Sequence, residues 1–464
     1  MDTFKFLKFA LLFGSFGCFL VVYLYLQNYI PTAISNDSND VSFALVGDPQ
    51  IEGSDKINNQ GFSGVVDLKF NDLYMRHIYN CLRRLTRPNF IITMGDILSS
   101  EWIDKSEFLQ RADRFKYISG QKNLDYFYTA PEYFNISGNH DIGYGYKINK
   151  NLTDRWEESF GALNYDFFIN KNGLKSNQAI SAFDHHLVFL NSNNLDASKD
   201  KILRKGTWDF LQKVVADNRL SHLNDINPLI LFTHIPLHKP HGLCTDGPKI
   251  KYDKEKNVLS QNFLSEITSS YILHCLKPFS IFNGHDHEGC HAIHETYFNA
   301  NLTNNSTKFI LDAYNSTLKD DTNSTDPQII KDNLIQLFCT SPLDLLDKYK
   351  SHWSSIFVNS TTVSQPTRNK DVYCSISSNS CLATQEITVR SVMGDYSGAT
   401  GIFKFSVAPT LHASKISNYR FKTPSSFISP FFNFSRKFLS ISFYYSGFRY
   451  QYTEVRFLHH VLAK

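Results

Sequence analysis

From residue 42 the chain repeats one design, a short apolar run that stops abruptly in Gly, Asp, Asn or His. The runs are Ser42-Phe-Ala-Leu-Val-Gly-Asp48, Phe90-Ile-Ile-Thr-Met-Gly-Asp96, Tyr133-Phe-Asn-Ile-Ser-Gly-Asn139, Leu229-Ile-Leu-Phe-Thr-His234 and Phe279-Ser-Ile-Phe-Asn-Gly-His285. Short apolar runs bounded by Gly read as strands buried on both faces. Between the first two, Leu68, Leu73, Ile78, Cys81, Leu82 and Leu85 recur near helical spacing, and the stretch stops at Pro88. Strand, helix, strand predicts an α/β sheet. Ligands of such sheets collect at the carboxyl ends of the strands, the edge on which every polar terminus above falls.

Three other stretches have different patterns. Phe9–Leu26 carries no charge. As a helix it would span roughly 27 Å, close to the thinner bilayers. Lys5 and Lys8 precede it and the first acidic residue after it is Asp37, which puts the N-terminus in the cytosol and the body in the lumen. A signal anchor is the preferred reading over a cleaved signal peptide or a buried core helix, because the run is long for a cleaved signal. Residues 300–380 are rich in Asn, Ser, Thr and Asp, with one amphipathic island near Ile329–Leu346, and read as an insertion or long surface excursion.

N-x-S/T begins at Asn36, Asn135, Asn151, Asn301, Asn304, Asn305, Asn315, Asn323, Asn359 and Asn433. The cluster from Asn301 to Asn323 predicts a glycosylated loop, whereas Asn135 lies against a site turn and is expected to stay unmodified. Strand-like text returns at Glu386–Arg390 and Gly401–Val407, and from 411 the tail is aromatic and basic. Its apolar stretch near Phe438–Phe448 reads as a packed tail in preference to a membrane-surface segment. The expected divisions are 1–30 (cytosolic tip and transmembrane anchor), 40–300 (catalytic domain), 301–380 (insertion), 381–410 (returning strands) and 411–464 (tail).

Composition narrows the function classes. The 464 residues hold 47 Lys plus Arg against 44 Asp plus Glu, a net charge of +3, which gives no support to a nucleic-acid partner. Gly and Pro, 22 and 15, are too few for a low-complexity chain. The eight cysteines are too few for a small disulfide scaffold.

Read in order, the strand ends supply Gly47-Asp48-Pro49-Gln50, Gly95-Asp96, Gly138-Asn139-His140-Asp141, Thr233-His234 and Gly284-His285-Asp286-His287. Carboxylate, imidazole and amide oxygen together suit borderline divalent ions such as Mn, Fe or Zn. Two such ions about 3.5–4 Å apart can share a carboxylate, activate water and clamp phosphoryl oxygens. Glycines ahead of the ligands let the backbone turn sharply and approach an anionic substrate.

This set resembles the calcineurin-like metallophosphoesterase superfamily, whose blocks are D-x-H, G-D, G-N-H-D/E, a later His and G-H-x-H, over about residues 42–290. The resemblance implies a β-sandwich flanked by helices and a two-metal site. Asp48 and His287 would hold one ion, and Asn139, His234 and His285 the other, with Asp96 bridging. His140 would stabilise the transition state or protonate the leaving oxygen, and Asp141 would orient it. Gln50 departs from the pattern by replacing the usual His. It remains a candidate ligand, but its amide oxygen is harder, neutral and weaker, which either biases the site toward Mn over Zn or lowers affinity at one ion.

Flanking text narrows the resemblance: Ile51-Glu52-Gly53, Ile97-Leu98, Ile235-Pro236-Leu237 and Glu386–Asp395. These are similar to endoplasmic-reticulum and Golgi phosphodiesterases that remove ethanolamine phosphate from a mannose of glycosylphosphatidylinositol (GPI) anchors, whose fungal members carry the Asp-Pro-Gln variant. The resemblance implies a luminal, single-pass enzyme of the endoplasmic-reticulum membrane, a GPI glycan as substrate and cargo-export machinery as a partner. A metallophosphatase for nucleotides or phosphoproteins and a catalytically weak cargo adaptor are the alternatives; an intact His140–Asp141 pair argues against the adaptor. In an oxidising lumen Cys244 and Cys290, each just beyond a ligand block, are expected to pair, as are Cys374 and Cys381. Cys81, Cys275 and Cys339 are then free or buried. His238 and His241 follow the fourth block and read as solvent-facing loop residues in preference to phosphate contacts.

Overall fold

The computed structural model describes residues 11–16, 19, 41–99, 101–122, 131–179, 184–197, 199–221, 227–296, 327–348, 360–364, 382–393, 398–407, 440–445 and 448–456. Among them sixteen strands form: β1 Val41–Val46, β2 Phe90–Thr93, β3 Glu132–Asn135, β4 Tyr165–Ile169, β5 Lys175–Ser176, β6 His185–Phe189, β7 Leu229–Phe232, β8 Ile250–Tyr252, β9 Val258–Gln261, β10 Ser280–Asn283, β11 Cys290–Thr296, β12 Ser360–Ser364, β13 Leu382–Thr388, β14 Ala399–Val407, β15 Ser440–Tyr445 and β16 Phe448–Arg456. One sheet has the order β15-β16-β14-β1-β2-β3, the other β12-β11-β13-β10-β7-β6-β4-β5, and β8 and β9 make a separate hairpin. β1, β2 and β3 run parallel, as do β6, β7, β10 and β13; antiparallel strands close the edges.

The continuous apolar runs follow from burial on both faces. In β1, Val41, Phe43 and Leu45 point into the layer between the sheets, while Ala44 and Val46 point to the outer helices. In β7, Ile230 and Phe232 face inward, and Leu229 and Leu231 face outward. The inner layer is largely aromatic: Phe134 meets Phe189 at 5.1 Å and Phe282 meets Phe403 at 4.8 Å, each pair joining the two sheets. Helices Phe62–Cys81, Lys105–Ser119 and Lys150–Phe160 cover the first sheet. Lys201–Ser221, Glu266–Tyr271 and Pro327–Thr340 cover the second.

The first predicted helix forms, but not with every predicted contact. Leu68, Ile78, Cys81 and Leu82 are buried, whereas Leu73 is 62% exposed on the outer face, where Met75 and Tyr79 take up the packing instead. Leu82–Thr86 is a π-helical turn, and Arg87 adopts φ +42° ahead of Pro88. Proline excludes the helical conformation from the residue before it, which ends the helix there.

The 300–380 stretch is not wholly a surface excursion. Pro327–Thr340 and Leu343–Lys348 are helices, and Leu334, Phe338, Cys339 and Leu346 enter the core against the second sheet. The expectation that Cys275 and Cys339 are unpaired is corrected here, since they form a disulfide with a Cα–Cα distance of 5.3 Å. Cys81 is buried and free, and Cys244–Cys290 is bridged as expected. Cys374, Cys381, the sequon cluster 301–323 and most of Phe9–Leu26 lie outside the described residues. Among the described residues no helix is long and apolar enough to cross a membrane. In the tail, β16 pairs with β14 from Ala399↔Arg456 to Val407↔Phe448.

The Cys275–Cys339 bridge closes 64 residues of chain. Replacing both cysteines by serine is expected to cost about 2–4 kcal/mol of stability. The urea unfolding midpoint would report it, and an unmoved midpoint would show that packing alone retains the Pro327–Thr340 helix.

Candidate metal centre

The five polar termini do converge. Asp48 and Gln50 follow β1, Asp96 follows β2, Asn139 follows β3, His234 follows β7, and His285 and His287 follow β10. The backbone leaves its strands abruptly: Asp48 and Gln50 sit at φ +42°, Asp96 at +46° and His285 at +71°. Non-glycine residues in this region cost of order 1–3 kcal/mol each and persist where surrounding bonds over-determine them. Those bonds are visible. The Gln50 N–H donates to the Asp96 carbonyl at 2.9 Å and the Ile51 N–H to that of Ile97 at 2.8 Å. The His285 N–H donates to the Asp48 carboxylate at 3.1 Å, and the Ser391 hydroxyl to the Asp48 carbonyl at 3.1 Å.

The glycines serve a purpose other than approach to a substrate. A Cβ on Gly138 would lie 2.0 Å from Asp96 Oδ1, one on Gly95 2.3 Å from His234 Nδ1, and one on Gly284 2.8 Å from Asp48 Oδ2. These residues are glycine because the ligand side chains of neighbouring loops occupy the space of a Cβ.

Two groups of donor atoms result. Asp96, His234 and His285 place ligand atoms within 4.8 Å of one another, and so do Asp48, Asp96 and His287. Asp96 belongs to both. His234 Nδ1 donates to the Met94 carbonyl at 2.8 Å, which leaves the Nε2 lone pair facing Asn139 Oδ1 at 3.1 Å and Asp96 Oδ1 at 3.3 Å. His285 Nε2 is likewise engaged by the Gln261 carbonyl at 2.9 Å, freeing Nδ1. Lone pairs converging without a donor are a cradle for a cation, and the donor set fits divalent ions. Gln50 reaches the same place, its amide nitrogen 3.1 Å from His287 Nε2.

Electrostatics agree with that demand. Burial alone would lower the His234 pKa, but the Asp96 and Asp48 carboxylates raise it to about 9. Burial works against the Asp96 carboxylate, yet His234 and His140 hold its pKa well below the usual range. Burial raises Asp48 well above the usual range. Burial, then the positive charge of His234, lowers His285 to about 3. A proton on His234 supplies the positive charge that a metal ion would otherwise bring.

His140 stands beside these groups. Its N–H donates to Asp96 Oδ1 at 2.8 Å and its Nε2 lies 3.8 Å from Asp96 Oδ2. The expectation that Asp141 orients this ring is corrected. His140 Nδ1 donates to the Ser99 carbonyl at 2.9 Å. The Asp141 carboxylate instead accepts from the backbone N–H groups of Gly138 at 2.8 Å, Leu98 at 2.8 Å and Ile97 at 3.2 Å. It ties the Asp96 loop to the Asn139 turn. Burial, then the nearby Asp96 charge, raises its pKa to about 7.

His241 is exposed and His238 half-buried, with the His238 N–H on the Ser269 hydroxyl at 2.8 Å. Asn135 is buried at the end of β3. Two features escape the sequence reading. One is Tyr144, whose hydroxyl lies 2.5 Å from His140 Nε2; its flanking Gly143 and Gly145 were the available signal.

The other is a wholly buried network around Glu386. Lys239 Nζ and His294 Nε2 reach its Oε2 at 2.7 Å each, while Asn283 Nδ2 at 2.6 Å and the Leu237 N–H at 2.7 Å reach Oε1. Burial would raise the carboxyl, but Lys239 and His294 hold it down at about 2. The network fastens the His234 loop to β10, β11 and β13, the strands that carry or flank the histidine ligands.

Residues 41–289 match the family of calcineurin-like phosphoesterases. The chain belongs to that family. An uncharacterised Schizosaccharomyces pombe protein is 32% identical over 56% of this chain and 64% of its own length. The Saccharomyces cerevisiae Protein TED1 is 28% identical over 56% of this chain and 67% of its own. Metallophosphoesterase 1 of Ailuropoda melanoleuca is 22% identical over 47% and 55%. The chain thus spans less than two thirds of the S. pombe relative. Within the matched region lie both groups of Asp and His side chains that could hold a metal ion.

Because Lys239 and Glu386 are both fully buried, Lys239→Met leaves an uncompensated charge and is expected to destabilise by about 3–5 kcal/mol. The double variant Lys239→Met, Glu386→Gln should recover part of that loss. Chemical denaturation of both variants measures it.

Proposed function

We propose that this calcineurin-like phosphoesterase is a luminal, membrane-anchored phosphodiesterase that removes ethanolamine phosphate from a mannose of GPI anchors. The observation that carries the hydrolytic reading is Asp96, a buried carboxylate shared by two donor groups and flanked by the non-ligand His140. In this reading His234, His285, Asn139 and Asp96 hold one ion, and Asp48, His287 and Asp96 the other, with Gln50 beside His287. Two divalent ions, manganese favoured, would supply Lewis-acid stabilisation of the phosphoryl oxygens and an activated water. The chain's own residues do the rest. The Met94 and Gln261 carbonyls fix the tautomers of His234 and His285, the Ser99 carbonyl aims His140 Nε2 at the centre, and Asp141 holds the two loops in register.

The GPI assignment rests on the sequence blocks around Asp48, Asp96, His234 and Glu386 and on the fungal relatives. Two disulfides suit an oxidising compartment, which supports a luminal body held by the Phe9–Leu26 span. Export of GPI-anchored cargo would follow from this activity.

Asp96→Asn removes the charge both donor groups share. It is expected to abolish hydrolysis and lower bound metal, read by elemental analysis, while circular dichroism stays native. Mass spectrometry of GPI glycans from cells lacking the protein should show ethanolamine phosphate retained on one mannose. An unchanged glycan profile with intact phosphodiesterase activity in vitro would move the substrate to nucleotides or phosphoproteins. Full complementation by His140→Ala would favour the adaptor reading.

A further inference from the structure

The His140 ring has one nitrogen to offer. Nδ1 is committed to the Ser99 carbonyl at 2.9 Å, so any proton the ring delivers leaves from Nε2. The group in contact with Nε2 is the Tyr144 hydroxyl at 2.5 Å, closer than the Asp96 carboxylate at 3.8 Å. The two rings meet edge to face, 5.1 Å apart at 76°. Both side chains are partly open to solvent.

The backbone around Tyr144 is shaped to hold it there. Gly143 and Gly145 sit at φ +109° and +51°, in the left-handed region that only glycine enters at little cost. A Cβ on Gly145 would lie 2.0 Å from the Val258 carbonyl oxygen of β9. The Tyr144 carbonyl accepts the Lys147 N–H at 2.9 Å, closing a turn. The same β9 ends in Gln261, whose carbonyl fixes His285, so the hairpin β8–β9 braces the tyrosine and a candidate ligand together.

We propose that Tyr144 is a catalytic residue of the phosphoester hydrolysis, the group that hands a proton to the leaving oxygen, with His140 resupplying it. Water adds to phosphorus and the phosphorus–oxygen bond to the leaving group breaks, its electron pair staying on the leaving oxygen. That oxygen takes the Tyr144 hydroxyl proton, and the Tyr144 oxygen takes the Nε2 proton of His140. His140 is left with Nδ1–H still on the Ser99 carbonyl and Nε2 bare; the attacking water releases one proton to solvent and Nε2 takes one back from solvent, so the protons balance. Such a relay matters for an alkoxide leaving group, which is too basic to depart unprotonated, and little for a stabilised phenolate. The proposal rests on the hydrolytic reading and not on the GPI assignment.

The experiment compares two probes on the full, metal-loaded protein, bis(4-nitrophenyl) phosphate and glycerophosphoethanolamine. Tyr144→Phe keeps the ring and removes only the hydroxyl. The expected result is a kcat loss of about a hundredfold or more on the alkyl ester, with the aryl ester within about threefold and metal content unchanged. Gly145→Ala, which forces the turn off the Val258 carbonyl, is expected to show the same selective loss. Equal losses on both probes would reduce Tyr144 to a packing residue and overturn the relay, as would unimpaired alkyl turnover. A wild-type protein that cleaves neither probe would overturn the hydrolytic reading and the relay with it.

Discussion

A carboxylate buried among four imidazoles and an amide has to be matched by positive charge, and the structure around Asp96 is arranged to hold that mismatch in place. Asp96 accepts the His140 N–H, faces His234 Nε2 and belongs to both donor groups. It does so from a left-handed backbone position, with its Oδ1 where a Cβ of Gly138 would stand. None of these features is favourable locally. They hold because two sheets deliver five strand ends to one edge and because Asp141 and the Gln50–Asp96 and Ile51–Ile97 bonds lace the loops together.

A second buried charge supports the first. Glu386 draws a lysine, a histidine, an asparagine and a backbone N–H from three segments, and these segments position His234 and His285. Buried ion pairs add little net stability, but one left half-paired is costly, so such a network excludes alternative loop arrangements. The Cys244–Cys290 bridge ties the same two loops from the solvent side. The candidate site is thus clamped by a charge network beneath and a covalent link above, while the helix at Pro327–Thr340 is pinned separately through Cys339.

Much of this was legible in the linear chain, and for local reasons. Strands buried on both faces must be apolar at every position, so β1, β2, β7 and β10 declare themselves, and the glycines that follow mark where no Cβ fits. Residue types with metal-binding chemistry then fall in a recurrent order at those stops. The helix before Pro88 and the Cys244–Cys290 pairing were readable on similar grounds. Short strands with mixed burial, such as β4, β5 and the hairpin β8–β9, carry no such pattern and were not.

The sequence by itself determined which residues would gather and on which edge of the sheets, because burial and backbone sterics act on each segment alone. Only the tertiary structure decided what each side chain does there. Asp141 turns toward backbone N–H groups and cedes His140 to the Ser99 carbonyl. Tyr144 meets His140, Cys275 finds Cys339, and Lys239 reaches Glu386. Each of these depends on the direction of a side chain relative to a segment distant in sequence or on a loop's exact turn. That direction is set by packing, which no single stretch of chain encodes.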